Sequence, residues 1–230
     1  MPSDMDNNSS HSSFGQLDQH TLTVLKKILT FGIDGVGALS SAKSLGDQYL
    51  NNSTYSDNFD RIEALIKWEE RKNFLTGFLT SIGGIITLPV TIPSSLAANW
   101  ILQTRMIAAM AHIGGFDIDD PPVRLSIALC LLGKHGKEAL NSEIEDFQEM
   151  LRKDGISKAS KQTIQMLNQV IASKLMRLAA QNGLVRLGKA IPLIGGVLGG
   201  AIDYFSCKGT AQFAIELFQL DKSSGFSEDQ

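Results

Sequence analysis

Residues 73–116 read NFLTGFLTSIGGIITLPVTIPSSLAANWILQTRMIAAMAHIGGF, and the reading of this stretch decides the fold. Between Lys72 and Arg105 lie 32 consecutive residues without a formal charge. A bilayer span needs ~20 apolar residues, so the run is long enough to cross a membrane. Its punctuation argues for another object. Gly83, Gly84, Pro89 and Pro93 interrupt it. Proline removes a backbone donor and biases the residue before it away from helix, which breaks the run near 88–93. The reading is a helical hairpin, residues 73–88 antiparallel to residues 94–113, with the turn at 89–93. The first arm is too short to cross upright, and the second carries Asn99, Gln103, Arg105 and His112.

Working outward, the chain reads as helices throughout. Leu22, Leu25, Ile28 and Leu29 predict a helix over 21–32 with Thr21 as its cap, and a second short helix is expected over 38–50. Asp57 caps a helix over 58–72, whose stripe is Phe59, Ile62, Leu65 and Ile66. After the hairpin, GGFDIDDPP at 114–122 is a stop, and the next helix is expected from Val123 to Leu132. Residues 133–160 are the most polar interior region. A helix over 160–182 is expected to stop at Gly183, and residues 184–217 hold a second apolar, Gly-rich segment. No stretch alternates with turn signals, so no sheet is expected. The fold class is all-α: one helical domain over 20–220, built around two Gly/Pro-rich apolar hairpins, with tails at 1–19 and 221–230. A weak echo places Pro192 over Pro89 and Lys208 over Arg105, which would make the two hairpins a pseudo-repeat.

Composition narrows the function. Hydrophobic residues are 43% and charged residues 20%, with mean hydropathy +0.01, which suits a large core better than a polytopic membrane protein. A net charge of −3 gives no basic surface for nucleic acid. The polar, acidic start lacks a basic and apolar leader, so it does not read as a secretory signal. Cys130 and Cys207 sit among apolar neighbours and read as buried thiols. His135 and Glu138 make a single H-x-x-E, where a di-metal bundle needs two and more carboxylates. Asp117, Asp119 and Asp120 read as turn and cap residues. No phosphate loop and no G-x-S-x-G elbow is present.

The charged group that needs explaining is Arg105, in the middle of an otherwise uncharged helix. A guanidinium stays charged at any relevant pH, so in an apolar setting it needs a carboxylate, carbonyls or an anionic ligand. His112, seven residues on, lies on nearly the same helix face, and Asp203 is the acid within the second apolar segment. Arg105, His112 and Asp203 are therefore the candidate ligand-binding residues. The competing reading is a structural pair, Arg105 with Asp203.

LTGFLTSIGGIITLPVTIPSSLA, LQTRMIAAMAHIGGFDIDDPPVR, IALCLLG at 127–133 and KAIPLIGGVLGGAIDY at 189–204 occur in order, and with them the chain resembles the EcsC family of bacterial proteins. The resemblance covers residues 20–220. It implies a helical, membrane-associated protein with a link to transport or secretion, and it carries over no catalytic residue. Taken with the residues, the expectation is a cytoplasmic, non-enzymatic protein, peripheral at the inner membrane, that acts through contact with lipid or a membrane protein. Homo-oligomerisation is compatible with it. No cofactor is implied. The alternative is a lipid-like substrate held or turned over between the hairpins, around Arg105, His112 and Asp203.

Overall fold

The computed structural model of the chain describes residues 8–74, 94–133, 161–187 and 207–221. These residues form helices α1 (Asn8–Asp34), α2 (Ala42–Leu50), α3 (Asn58–Phe74), α4 (Ser94–Ile113), α5 (Pro121–Cys130) and α6 (Lys161–Leu187), followed by α7 over residues 207–217. No strand occurs among them, and an isolated bridge between Val36 and Leu39 closes a tight turn. The fold is all-α. The first arm of the expected hairpin with its turn lies outside the described residues. So do residues 188–206 of the second apolar segment, the polar region 134–160 and residues 222–230, so the hairpin pairing and the pseudo-repeat lie there too.

The second arm is the centre of the fold. α4 starts at Ser94, directly after Pro93, and ends at Ile113. Every residue from Leu96 to Ala111 is buried, on all faces of the helix. A helix apolar all round belongs in a core or a bilayer, and here the core takes it. α1, α2, α3 and α5 pack around α4, and α7 reaches it through Thr210 and Cys207. Ile101, Met106, Ile107, Met110 and Ile113 are fully enclosed. Burial of each such side chain contributes ~1.5–3 kcal/mol.

Small residues set how close the surrounding helices come. A Cβ on Gly32 of α1 would lie 2.5 Å from Thr104 Cβ and 2.9 Å from the Ile101 carbonyl, so α1 crosses α4 backbone on side chain. A Cβ on Gly46 of α2 would lie 2.7 Å from the His112 ring. Glycine inside these apolar helices thus marks close approach, as its placement in the sequence suggests.

Several boundaries differ from the sequence reading, and α2 begins only at Ala42, behind its N-cap Ser41, four residues after the expected start. α1 begins at Asn8, so residues 8–19 are helical rather than part of a tail, and Thr21 is an interior residue. Once the buried turns around Val24–Ile33 are formed, each further N-terminal residue adds a hydrogen bond, and no proline stops the growth. α5 begins at Pro121 with Asp120 as N-cap, two residues before the expected start. Proline is favoured in a first helical turn, where its missing N–H has no intrahelical acceptor. α6 continues through Gly183 to Leu187, since one glycine costs a helix only ~1 kcal/mol.

α4 is closed by a Schellman turn. Gly115, at φ +83°, donates to His112, and Phe116 donates to the Ala111 carbonyl. α7 ends the same way, with Leu220 donating to the Ile215 carbonyl and Gln219 in the left-handed region at φ +52°. The two ends meet: Phe116 and Phe218 contact edge to face, 5.1 Å between ring centroids, and Leu220 lies against Gly114.

Candidate functional site

The turn between α1 and α2 builds one wall of the site. Gly35 and Gly37 both have positive φ, at +86° and +58°. They allow Val36 and Leu39 to exchange backbone hydrogen bonds across two residues. The chain then reaches Ser40, just outside α2. Ser41 is the N-cap, its Oγ accepting from the Ser44 amide. The Ser40 carbonyl is therefore free of the helix ladder, and Arg105 takes it. Arg105 Nε donates to Ser40 O at 2.8 Å and Nη2 to Ser40 Oγ at 2.7 Å. Nη1 stands 3.7 Å from Glu69 Oε1.

Glu69 comes from α3, which Asp57 caps by accepting from the Asp60 amide. It is four residues after Leu65 and seven after Ile62, on the stripe that faces the core. Glu69 is 2% exposed and Arg105 is 6% exposed. Burial lowers the Arg105 pKa, and Glu69 opposes the change, so the guanidinium remains an ion. Buried charge is tolerated when paired, and this pair ties α3 to α4 while the Ser40 bonds tie the turn before α2 to the same helix.

Beside the pair is a cleft of roughly 530 Å³, lined by Arg105, Ser40, Tyr49, Asn52, Tyr55 and Trp68 among others. Tyr49 and Tyr55 stack, with ring centroids 6.0 Å apart and planes 28° from parallel. Trp68 is the exposed large apolar side chain among the described residues, at 51%. The Tyr49 hydroxyl is pushed up to about 12, first by burial, then by the negative charge of Glu69, with Arg105 opposing. It is neutral at any physiological pH.

His112 lies two turns along α4 and is absent from the cleft lining. Its Nε2 is 2.7 Å from Asp47 Oδ1, at a partly solvated position. Both contacts join α4 to the chain 65 residues earlier, Arg105 to Ser40 and His112 to Asp47. The two segments thus run in the same direction in register. Of the three residues singled out from sequence, Arg105 belongs to the cleft and His112 does not. Asp203 lies outside the described residues. Ser40, Tyr49, Tyr55, Trp68 and Glu69 were missed, and of these Glu69 carried a legible signal: a carboxylate in phase with an apolar stripe.

On another part of α4 a buried polar chain runs from Asn99 to Gln103 and on to the Thr210 hydroxyl, which donates to Gln103 Oε1 at 3.2 Å. Cys207 Sγ approaches Met106 Sδ at 3.7 Å. Cys130 is wholly buried and its thiol is pushed up by that burial. Among the described residues no group of His, Cys, Asp and Glu is placed to hold a metal ion. No helix of the described residues is long and apolar enough to cross a membrane.

These features define an all-α protein whose central helix is anchored by a buried Arg–Glu pair beneath an aromatic cleft. The chain belongs to the EcsC protein family, whose model matches residues 11–220. Neither a curated protein nor a solved structure matches it.

Proposed function

We propose that the protein acts without catalysis at the cytoplasmic face of the inner membrane, by contact with lipid or with a membrane protein. The observation that carries this reading is Trp68. An exposed indole stands at the mouth of a cleft that also holds two tyrosines, and α3 leads from it into the 32-residue uncharged run. Trp and Tyr pair an apolar ring with a polar tip, the combination favoured at a membrane–water boundary. A link to transport or secretion fits a protein of this kind. The test is flotation with liposomes. The wild-type chain is expected to rise with the vesicles and Trp68→Ala to rise much less. Wild-type chain that stays wholly in the dense fraction refutes the membrane reading.

The cleft volume supports a second reading, in which the cleft holds a lipid-like substrate, because pockets of ~300–1,000 Å³ suit a small ligand. In that reading Arg105 is the anchor, while His112 pairs with Asp47 and Asp203 lies outside the described residues. Lipid extracted from purified protein, and its loss in Tyr49→Ala, would support it over simple surface contact.

A further inference from the structure

The chemistry of the cleft says which kind of group it accepts. Tyr49 lies in the last turn of α2, Tyr55 in the connection that follows, and Trp68 in α3, so three segments bring aromatic rings to one opening. Arg105 is already engaged by Ser40 and Glu69, and it presents little surface. The sign of the local field can be read at Tyr49. There the negative charge of Glu69 outweighs the positive charge of Arg105, and both burial and this field resist ionisation of the phenol. Burial penalises a charge of either sign, so it is the nearby carboxylate of Glu69 and the aromatic lining, rather than the raised phenol, that speak for a cation. Aromatic faces carry the negative end of the ring quadrupole and attract cations in the same sense.

We propose that the cleft between Tyr49, Tyr55 and Trp68 receives the methylated ammonium end of a zwitterionic headgroup of the phosphocholine type. The inference rests on the lipid-contact reading above and gives that contact a chemical class. Methyl groups on the nitrogen meet aromatic faces with little loss of hydration, which a bare ammonium does not. The cleft is larger than a trimethylammonium group. The lining also includes Ser40, Gln48 and Asn52, whose hydroxyl and amides suit the phosphate end.

The test uses the full chain, titrated with tetramethylammonium chloride, phosphocholine and inorganic phosphate, and followed by tryptophan emission and calorimetry. Trp100 is buried and supplies a constant background. Saturable quenching is expected with the first two and none with phosphate. Trp68→Ala should weaken phosphocholine binding about tenfold and Trp68→Phe less, since a desolvated cation–aromatic contact is of that size. Tyr55→Leu should do the same without changing the helical circular dichroism. Binding of phosphate without tetramethylammonium overturns the proposal, as does a dissociation constant unmoved in both Trp68→Ala and Tyr55→Leu. Vesicles of phosphatidylcholine and of phosphatidylglycerol separate the two claims. Flotation with phosphatidylglycerol alone, with no response to tetramethylammonium, keeps membrane contact and removes the ammonium site. Binding of soluble phosphocholine without flotation on either vesicle keeps the site, assigns it to a free solute and removes membrane contact.

Discussion

Removing Arg105 tests whether the buried pair holds the fold together. Arg105→Ala deletes three interactions of unequal weight. The two bonds to Ser40 end on an exposed residue, so water replaces them at small cost. The third takes the guanidinium away from Glu69, which is 2% exposed. Breaking a buried pair from one side costs ~3–5 kcal/mol, and that term dominates. For a chain of this size each kcal/mol moves the melting temperature by ~2–4 °C, so a fall of about 6–20 °C is expected. Glu69→Gln alone should also destabilise, because the guanidinium cannot discharge itself. Their combination should cost clearly less than the sum, with a coupling above ~1 kcal/mol. Urea denaturation of the four proteins, with slopes compared for two-state behaviour, measures this. An Arg105→Ala loss below ~1 kcal/mol, or strict additivity with Glu69→Gln, would refute the assignment. By contrast Asp47→Ala should cost under ~1 kcal/mol, since the His112 pair is partly solvated.

Gly32→Ala should destabilise more than Gly46→Ala, because the first meets the β-branched Thr104 at 2.5 Å and a carbonyl at 2.9 Å while the second meets a ring edge at 2.7 Å and a carbonyl at 3.3 Å; overpacking of this kind costs ~1–3 kcal/mol, and equal midpoints in urea would count against the crossing described. Gln219→Gly should raise stability by up to about 1 kcal/mol, since the residue sits at φ +52° in a helix-ending turn, and a lowered melting temperature would show that Gln219 contributes something its backbone does not explain. Tyr49 supplies a pH test. Below about pH 10 its phenol is neutral folded and unfolded. Between about 10 and 12 the unfolded phenol loses its proton and the folded one keeps it, so the unfolded state binds fewer protons and stability falls as pH rises. Tyr49→Phe should flatten the decline in urea midpoint across that window, and an unchanged slope would contradict the burial assigned to the hydroxyl.

The all-α class and the position of α4 were legible because proline and charge are strong local signals. Pro93 sets the start of α4 at Ser94, and Gly114–Gly115 set its end, both at the residues expected. Arg105 was legible for a different reason: its charge is conspicuous against 32 uncharged residues. Its partner was not. The expected counter-ion, Asp203, lies outside the described residues, and Glu69 sits among four other charged residues between Lys67 and Lys72, where an acid reads as solvated. Phase distinguishes it, since Ile62, Leu65 and Glu69 fall on one face of α3 while Lys67 and Arg71 are exposed. Ser40 could not be found at all from sequence, because its contribution is chiefly a backbone carbonyl freed by a turn. Helix ends were least legible where a general rule had an exception, as at Pro121 and Gly183.

The identity of the uncharged run changes once α4 is placed. Its length suggests a membrane, yet the part described from Ser94 onward is consumed by the protein's own core, with α1, α2, α3, α5 and α7 around it. Apolar length therefore cannot by itself carry the case for membrane contact in this chain. What carries it is surface chemistry: Trp68 exposed beside Tyr49 and Tyr55, in a cleft that borders the Arg105–Glu69 pair. The same pair connects the two roles of α4. Arg105 fixes the Ser40 turn and α3 against the central helix, and in doing so it holds apart the two walls that carry the aromatic rings. A variant that loosens this anchor should thus lose the cleft before it loses the helices. Arg105→Lys keeps the charge but not the fork that spans Ser40 and Glu69. It should retain near-native circular dichroism while phosphocholine binding and vesicle flotation both decline, and a fully retained affinity in Arg105→Lys would separate the anchor from the cleft.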